Sequence, residues 1–234
     1  MKHTLHRIAL IFFLVNLIAI GSSIISGFHH GRLAYRFEEK QAMTFFSSNQ
    51  LFGTALLAWA TYLVQRKLLK RDPWKDLSVF FWPLCAMGFF FLMLDESFQI
   101  HEGLDKWLGH AKGMRSDAGF DGLSTLGYGF VALGVCYYFR KEVLRYRSCL
   151  IYYVLGGIFL VLTSVLDLGN ESQLQIVIEE SFKILGVVSF LLAYLGALLG
   201  SVEDARAALG RAEPEPAVAA VESPPERLRR TARG

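Results

Sequence analysis

Six long apolar runs, separated by polar stretches, are the feature that most limits what this chain can fold into. They cover residues 8–27, 43–64, 77–94, 122–139, 149–166 and 176–200. A run of about 20 apolar residues is long enough to cross the hydrocarbon core of a bilayer as an α-helix. A lipid-exposed backbone must satisfy its own hydrogen bonds, and single helices do so. The chain is therefore predicted to be an all-α polytopic membrane bundle with six transmembrane helices.

Composition agrees with this prediction and limits the partners. The 234 residues are 53% hydrophobic and 19% charged, which is too apolar for a soluble domain with so many uninterrupted runs. The basic residues are grouped in particular loops, so the lipid bilayer is the expected partner and nucleic acid is not. Self-association into a homo-oligomer stays open. The three cysteines lie in or beside apolar runs, without the spacing of a zinc site.

Two basic loops indicate how the helices are oriented. The first contains Arg66, Lys67, Lys70, Arg71 and Lys75, and the second contains Arg140, Lys141, Arg145 and Arg147. Loops rich in lysine and arginine stay on the cytoplasmic side. With six spans, both termini are then cytoplasmic. We expect a short N-terminus at 1–7, a membrane domain at 8–200 and a disordered cytoplasmic tail at 201–234, where Ala, Glu, Pro and Arg dominate.

A charged motif follows the third apolar run directly. Residues 94–102 read Leu-Asp-Glu-Ser-Phe-Gln-Ile-His-Glu, which places four ionisable side chains at the outer edge of the bilayer core. If the helix continues through the motif, Asp95 and Glu102 share one face, with Gln99 between them. The ordinary alternative is a helix end lying in headgroups and water.

The predicted topology brings further polar residues to this outer side. Glu179 and Glu180 open the last run, and Lys183 follows at a spacing that allows an ion pair with one of them, which leaves a second carboxylate over. Three more polar residues are placed on the same side: Ser48, Asn49 and Glu171. Ser48 and Asn49 belong to a polar half-helix that we expect to face the bundle interior. The inner halves of the runs offer nothing comparable.

Two more patterns accompany the motif at 94–102. Glu39 precedes a Thr-Phe-Phe-Ser segment at 44–47, and the Glu179 and Glu180 pair is followed by Gly186. Together these patterns resemble an uncharacterised group of bacterial multi-spanning membrane proteins whose third helix ends in Leu-Asp-Glu-x-x-x-Ile-His-Glu. The resemblance implies a multi-pass protein of the bacterial inner membrane in which these positions form one site. It implies no activity.

A divalent metal is the first hypothesis for this site. Carboxylates and neutral imidazole suit Zn, Mn or Fe, and helical bundles build such sites from facing side chains. The predicted ligands are Asp95, His101, Glu102, Glu179 and Glu180, supported by Gln99, Lys183, Glu171, Asn49 and Ser48. A bound metal could activate water for hydrolysis or modification of a lipid-type substrate, with Asp95, Glu96 and Glu102 as the catalytic candidates.

Two other hypotheses remain open. Carboxylates and Lys183 within a membrane could relay protons or bind transported cations. The polar cluster could instead hold together the bundle of a non-catalytic membrane subunit. No serine elbow, phosphate loop or His-Glu-x-x-His pattern is present, so whether the protein is an enzyme stays open. Neither haem nor a nucleotide is expected.

Overall fold

The computed structural model describes residues 2–38, 41–100, 123–167 and 172–212, and within them every regular element is helical. The α-helices are α1 (Lys2–His29), α2 (Ala42–Leu63), α3 (Phe81–Phe98), α4 (Leu123–Tyr138), α5 (Arg140–Val143), α6 (Leu150–Asp167) and α7 (Gln173–Ala212). A π-helical turn at Val64–Leu68 follows α2, and 3₁₀ turns at Leu77–Phe80 and Arg147–Cys149 precede α3 and α6. The all-α prediction is confirmed for the described residues.

Four segments of the described chain are long and apolar enough to cross a membrane. They are His3–His29, Leu77–Phe98, Arg147–Leu166 and Gln173–Arg211. Helix α2 spans 22 residues, but the polar residues of its first half lower its hydropathy. Each of the six predicted runs overlaps one of the longer helices. Four segments qualify as candidate spans, so the helices are shown, whereas six transmembrane spans stay a prediction.

Helix α7 is the centre of the bundle. Its most apolar window is 61% buried, against 22% for each of the other three candidate spans. Helices α1, α2 and α6 pack against α7, and α3 packs mainly against α2. The core around α7 is aromatic: the Tyr194 ring meets Trp82 edge-on at 5.9 Å and Phe89 at 5.2 Å. Edge-to-face contacts of this kind add specificity to apolar packing.

Glycines let two helices approach α7 closely. A Cβ added to Gly156 of α6 would lie 2.9 Å from the Phe190 ring, and one added to Gly196 of α7 would lie 2.8 Å from Leu5 of α1. Real Cβ atoms do not come this near to other heavy atoms. Small residues at helix interfaces are how membrane bundles gain close packing.

Helix α3 ends before the charged motif does. It stops at Phe98, and Gln99 adopts a left-handed backbone with φ of +57°. A left-handed residue interrupts the α-helical path. The condition for a shared face, a helix that continues through the motif, is therefore not met at Gln99, and Glu102 lies outside the described residues.

Helix α7 continues beyond the predicted start of the tail. Residues 201–212 are helical, whereas we expected disorder from Ser201 onward. The extension is rich in alanine and arginine, which favour helix, and it is anchored to the bundle. The hydroxyls of Ser201 and Tyr146 lie 2.7 Å apart, and Ala205 is buried. Residues 213–234 lie outside the described residues.

Candidate functional site

Three helices meet at an ion-paired triad formed by Glu96, Glu180 and Lys183. The Lys183 Nζ donates to Glu180 Oε1 at 2.6 Å and lies 3.0 Å from Glu96 Oε1. The Ser47 hydroxyl of α2 donates to the same Glu96 oxygen at 2.9 Å. One ammonium group therefore joins a carboxylate of α3 to a carboxylate of α7.

The local sequence explains how these side chains come together. Glu180 and Lys183 are three residues apart on α7, a spacing that puts both on one helix face. Glu96 lies in the last turn of α3, and Ser47 lies on the buried side of α2. Because α2 packs against both α3 and α7, the three helices deliver their polar groups to one place.

The triad has an unbalanced charge. Two carboxylates and one ammonium leave one negative charge when all three are ionised. The side chains are only 11% exposed for Glu96, 14% for Glu180 and 24% for Lys183. Most of each side chain is therefore shielded from solvent, and the two contacts with Lys183 offset part of the cost of burying the carboxylates.

Three other residues predicted for the site differ in their burial and contacts: Asp95, Ser48 and Glu179. Asp95 is buried, with 6% of its surface exposed. The Ser97 hydroxyl donates to Ser48 at 3.3 Å, which links α3 to α2 beside the triad. Glu179 is partly buried, and its backbone carbonyl lies 3.5 Å from the Thr163 hydroxyl of α6.

Asn49 and Gln99 differ from what the sequence led us to expect. Asn49 is exposed and donates to the Phe45 carbonyl of its own helix at 2.7 Å, because the helical period buries Ser47 and Ser48 instead. The role found for Gln99 is in the backbone, where its left-handed conformation ends α3.

Only some of the residues predicted for the metal site lie within the described part of the chain. His101, Glu102 and Glu171 lie outside the described residues. In the part of the chain that the structure describes, no three His, Cys, Asp or Glu side chains are grouped as metal ligands would be. At Glu180 and Glu96, Lys183 already occupies the position between the carboxylates. A divalent ion bound there would have to displace the ammonium.

Sequence reasoning missed a second polar network at the opposite end of the bundle. Glu142 is 3% exposed and accepts hydrogen bonds from four side chains. The donors are Arg71 at 2.8 and 3.1 Å, Gln65 at 2.9 Å, Trp82 at 3.2 Å and Ser78 at 3.2 Å. The expectation that the inner ends of the helices carry no comparable polar cluster is therefore wrong.

Electrostatics keep Glu142 ionised in this network. Burial raises the pKa of Glu142, but hydrogen bonds from Arg71 and Gln65 outweigh it and lower the pKa below its ordinary value. Burial likewise lowers the pKa of Arg71, while Glu142 and Asp76 raise it above its ordinary value. The network ties α5 to the segment after α2 and to the start of α3. One sequence signal was available: Glu142 is the single acid among four basic residues of 140–147.

Comparison with known proteins gives a family but no activity. Residues 6–198 match a protein family described as a domain of unknown function, DUF8692. No curated protein matches the chain, and no solved structure matches it.

Proposed function

Since the chain belongs to the DUF8692 family, whose description assigns no function, we propose a role from geometry: the protein relays protons or small cations at a membrane. Glu96, Glu180 and Lys183 form its ion-exchange site. The observation that supports this role is a single ammonium group held between carboxylates of two different helices. Ionisable groups inside apolar helices are costly, and they commonly mark ion pathways.

The exchange needs only groups that the triad contains. A proton from the adjacent water binds Glu96, whose charge is neutralised, and Lys183 is then paired with Glu180 alone. The link between α3 and α7 weakens as a result. Release of the proton restores the two ion pairs. A binding event that favours one of two helix arrangements is how a membrane site couples an ion to a movement.

The same proposal includes the orientation of the protein. We place six spans in a bacterial inner membrane, with both termini cytoplasmic and the triad on the outer side. The basic loops at 66–75 and 140–147 support this orientation. Lys183 and Ser201 are separated by 18 positions of α7, about 27 Å along the helix axis, which is close to the thickness of a hydrocarbon core.

A divalent metal is the second candidate, because Asp95 is a buried carboxylate next to the triad residue Glu96 and the sequence places His101 and Glu102 within seven positions of it. Zn, Mn or Fe would be held by Asp95 with His101 and Glu102, and could activate water against a lipid-type substrate. Stoichiometric metal in purified protein, lost in Asp95→Asn, would favour this candidate over ion relay.

Proton flux in proteoliposomes tests the proposed relay. Purified protein is reconstituted with a pH-sensitive dye inside the vesicles, and a pH gradient is imposed. We expect Glu96→Gln, Glu180→Gln and Lys183→Met each to slow the flux by about 100-fold or more, the lower end of what a positioned proton-transfer group contributes.

Glu38→Gln is the matched control. Glu38 also forms a short ion pair, with Arg32 at 2.5 Å, but this pair is solvent-exposed. We expect the control to retain the flux of the unmodified protein. If the triad variants melt at a lower temperature while their flux equals that of the control, the triad is structural and ion relay is excluded.

A further inference from the structure

A pocket lies at the end of the bundle opposite to the triad, between the end of α2 and the start of α3. Its volume is about 440 Å³, which is within the range of small-molecule sites. Its principal lining residues are Tyr62, Arg66, Lys70, Trp74 and Phe80. The residues belong to the first basic loop and its flanking helices, so the pocket lies at the inner membrane surface in the proposed orientation.

Two cationic side chains of the pocket, Arg66 and Lys70, can bind an anionic ligand. Arg71 also borders it, but Glu142 and Asp76 neutralise this guanidinium. Among the described residues, neither Arg66 nor Lys70 forms an ion pair with a carboxylate. The acidic lining residue Asp72 accepts a hydrogen bond from the Trp74 backbone at 3.1 Å. Among the lining residues, the three cations Arg66, Lys70 and Arg71 stand against the single acid Asp72, so the lining itself has a net positive charge.

The geometry of the pocket is held in place by backbone and aromatic contacts. Arg66 donates to the Tyr62 hydroxyl at 3.2 Å, and its Cζ lies 5.9 Å from the Tyr62 ring centroid. Lys70 has a left-handed backbone with φ of +51°, which is uncommon for a residue with a Cβ. On either side of it, the Leu69 and Arg71 amides donate to carbonyls of the π-helical turn. Such strain persists only where the surroundings impose it.

The aromatic side of the pocket is typical of a membrane interface. Trp74 is 84% exposed and meets Phe80 edge-on at 6.0 Å. Exposed tryptophan is enriched at the level of lipid headgroups. Leu63 and Leu77 are also exposed, at the end of α2 and at the start of the 3₁₀ turn before α3. Trp74 and Phe80 themselves line the pocket and place apolar surface beside its cations.

We propose that this pocket binds the phosphate headgroup of an anionic phospholipid in the inner leaflet. The Arg66 guanidinium and the Lys70 ammonium are suited to phosphate oxygens, and the apolar rings of Trp74 and Phe80 are suited to the adjoining lipid chain. A free phosphate would use the two cations but leave the apolar surface uncovered. The lipid is therefore the occupant that matches both parts of the site. Ion relay at the triad is not required for it.

Lipid-dependent stability and lipid retention test this site. Detergent-purified protein is mixed with phosphatidylglycerol or with phosphatidylcholine, its melting temperature is measured, and retained lipid is counted by native mass spectrometry. We expect phosphatidylglycerol to raise the melting temperature and to be retained in preference to phosphatidylcholine. In Arg66→Gln/Lys70→Gln the affinity for phosphatidylglycerol should fall about 25-fold, since each cation near an anionic surface accounts for about fivefold.

Lys67→Gln/Lys75→Gln is the matched control, because it removes two charges of the same loop that do not line the pocket. We expect this variant to keep the preference for phosphatidylglycerol. If both double variants lose the same affinity for phosphatidylglycerol, the lipid is attracted to the basic loop in general, and the proposal of a specific site in the pocket is overturned. Stabilisation by inorganic phosphate as strong as that by the lipid would identify a free anion instead. If the pocket double variant does not fold in phosphatidylcholine, Lys70→Gln alone serves for the same comparison.

Discussion

Single residues of this protein have opposite electrostatic surroundings at the two ends of the bundle. At the triad, two carboxylates share one ammonium. At the opposite end, Glu142 receives hydrogen bonds from an arginine, an amide, an indole and a hydroxyl. Proton exchange at the first arrangement is our proposal, whereas the hydrogen bonds of the second keep Glu142 ionised.

Replacing Glu142 should destabilise the protein substantially. In Glu142→Gln the partly buried Arg71 loses one of its two carboxylate partners, and removing one member of a buried ion pair costs about 3 to 5 kcal/mol. Chemical denaturation in detergent measures the free energy of unfolding. Asp204→Asn is the control, because the Arg145 and Asp204 pair is exposed and 3.3 Å long. We expect less than about 1 kcal/mol there. Equal effects would contradict the structural role of Glu142.

The same residue predicts how stability depends on pH. Because the pKa of Glu142 is lower in the folded protein than the ordinary value of 4.5, its ionised form stabilises the fold above that pH. This contribution is lost as the pH falls through the lowered pKa. Melting temperatures measured on acidification below pH 4.5 should therefore fall more steeply for the unmodified protein than for Glu142→Gln. Parallel curves would show that Glu142 does not contribute.

Some of these residues could be predicted from the sequence and others could not. The pairing of Lys183 with Glu180 follows from a spacing of three on a helix, and pairing with one member of the Glu179 and Glu180 pair was expected. The partnership of Lys183 with Glu96 depends on how α3 packs, which local patterns do not specify. Glu142 was missed because its partners come from separate segments of the chain, and each of them alone looks like an ordinary loop residue.

The hydrophobic pattern predicted which segments form helices better than it predicted where those helices end. All six apolar runs are helical, because their length and composition leave a membrane segment few alternatives. The end of α3 depends on the left-handed backbone of Gln99. Glutamine also occurs inside helices, so this residue type alone does not predict a helix end. The extension of α7 depends on contacts of Ser201 and Ala205 with the bundle. Both ends are decided by tertiary contacts and backbone geometry beyond the hydrophobic pattern.

Neighbouring glycines of α6 provide a test of how closely it packs against α7. A Cβ at Gly156 would meet the Phe190 ring at 2.9 Å, whereas a Cβ at Gly157 would meet nothing within 4 Å. Gly156→Ala should therefore lower the free energy of unfolding by about 1 to 3 kcal/mol through overpacking. Gly157→Ala should be neutral or stabilising, since alanine favours helix. The reverse order would show that α6 contacts α7 through another face.

The whole molecule is organised around α7, with polar sites at both ends and an apolar, aromatic middle. Between Lys183 and Ser201 the described part of α7 buries mainly Val187, Val188, Leu191 and Leu192 around Tyr194. Two hydroxyls at this depth are committed to their own helices: Ser189 donates to the Leu185 carbonyl and Thr54 to the Gln50 carbonyl.

Infrared titration of purified protein tests most directly whether the triad exchanges a proton. Difference spectra recorded as the pH is lowered separate protonated carboxyl groups from ionised ones. We predict a carboxyl absorption that appears on acidification in the unmodified protein and in Glu38→Gln, and that is lost in Glu96→Gln or Glu180→Gln. If the absorption is the same in all four proteins, or if the triad carboxylates stay ionised throughout the pH range in which the protein is folded, the triad does not exchange protons.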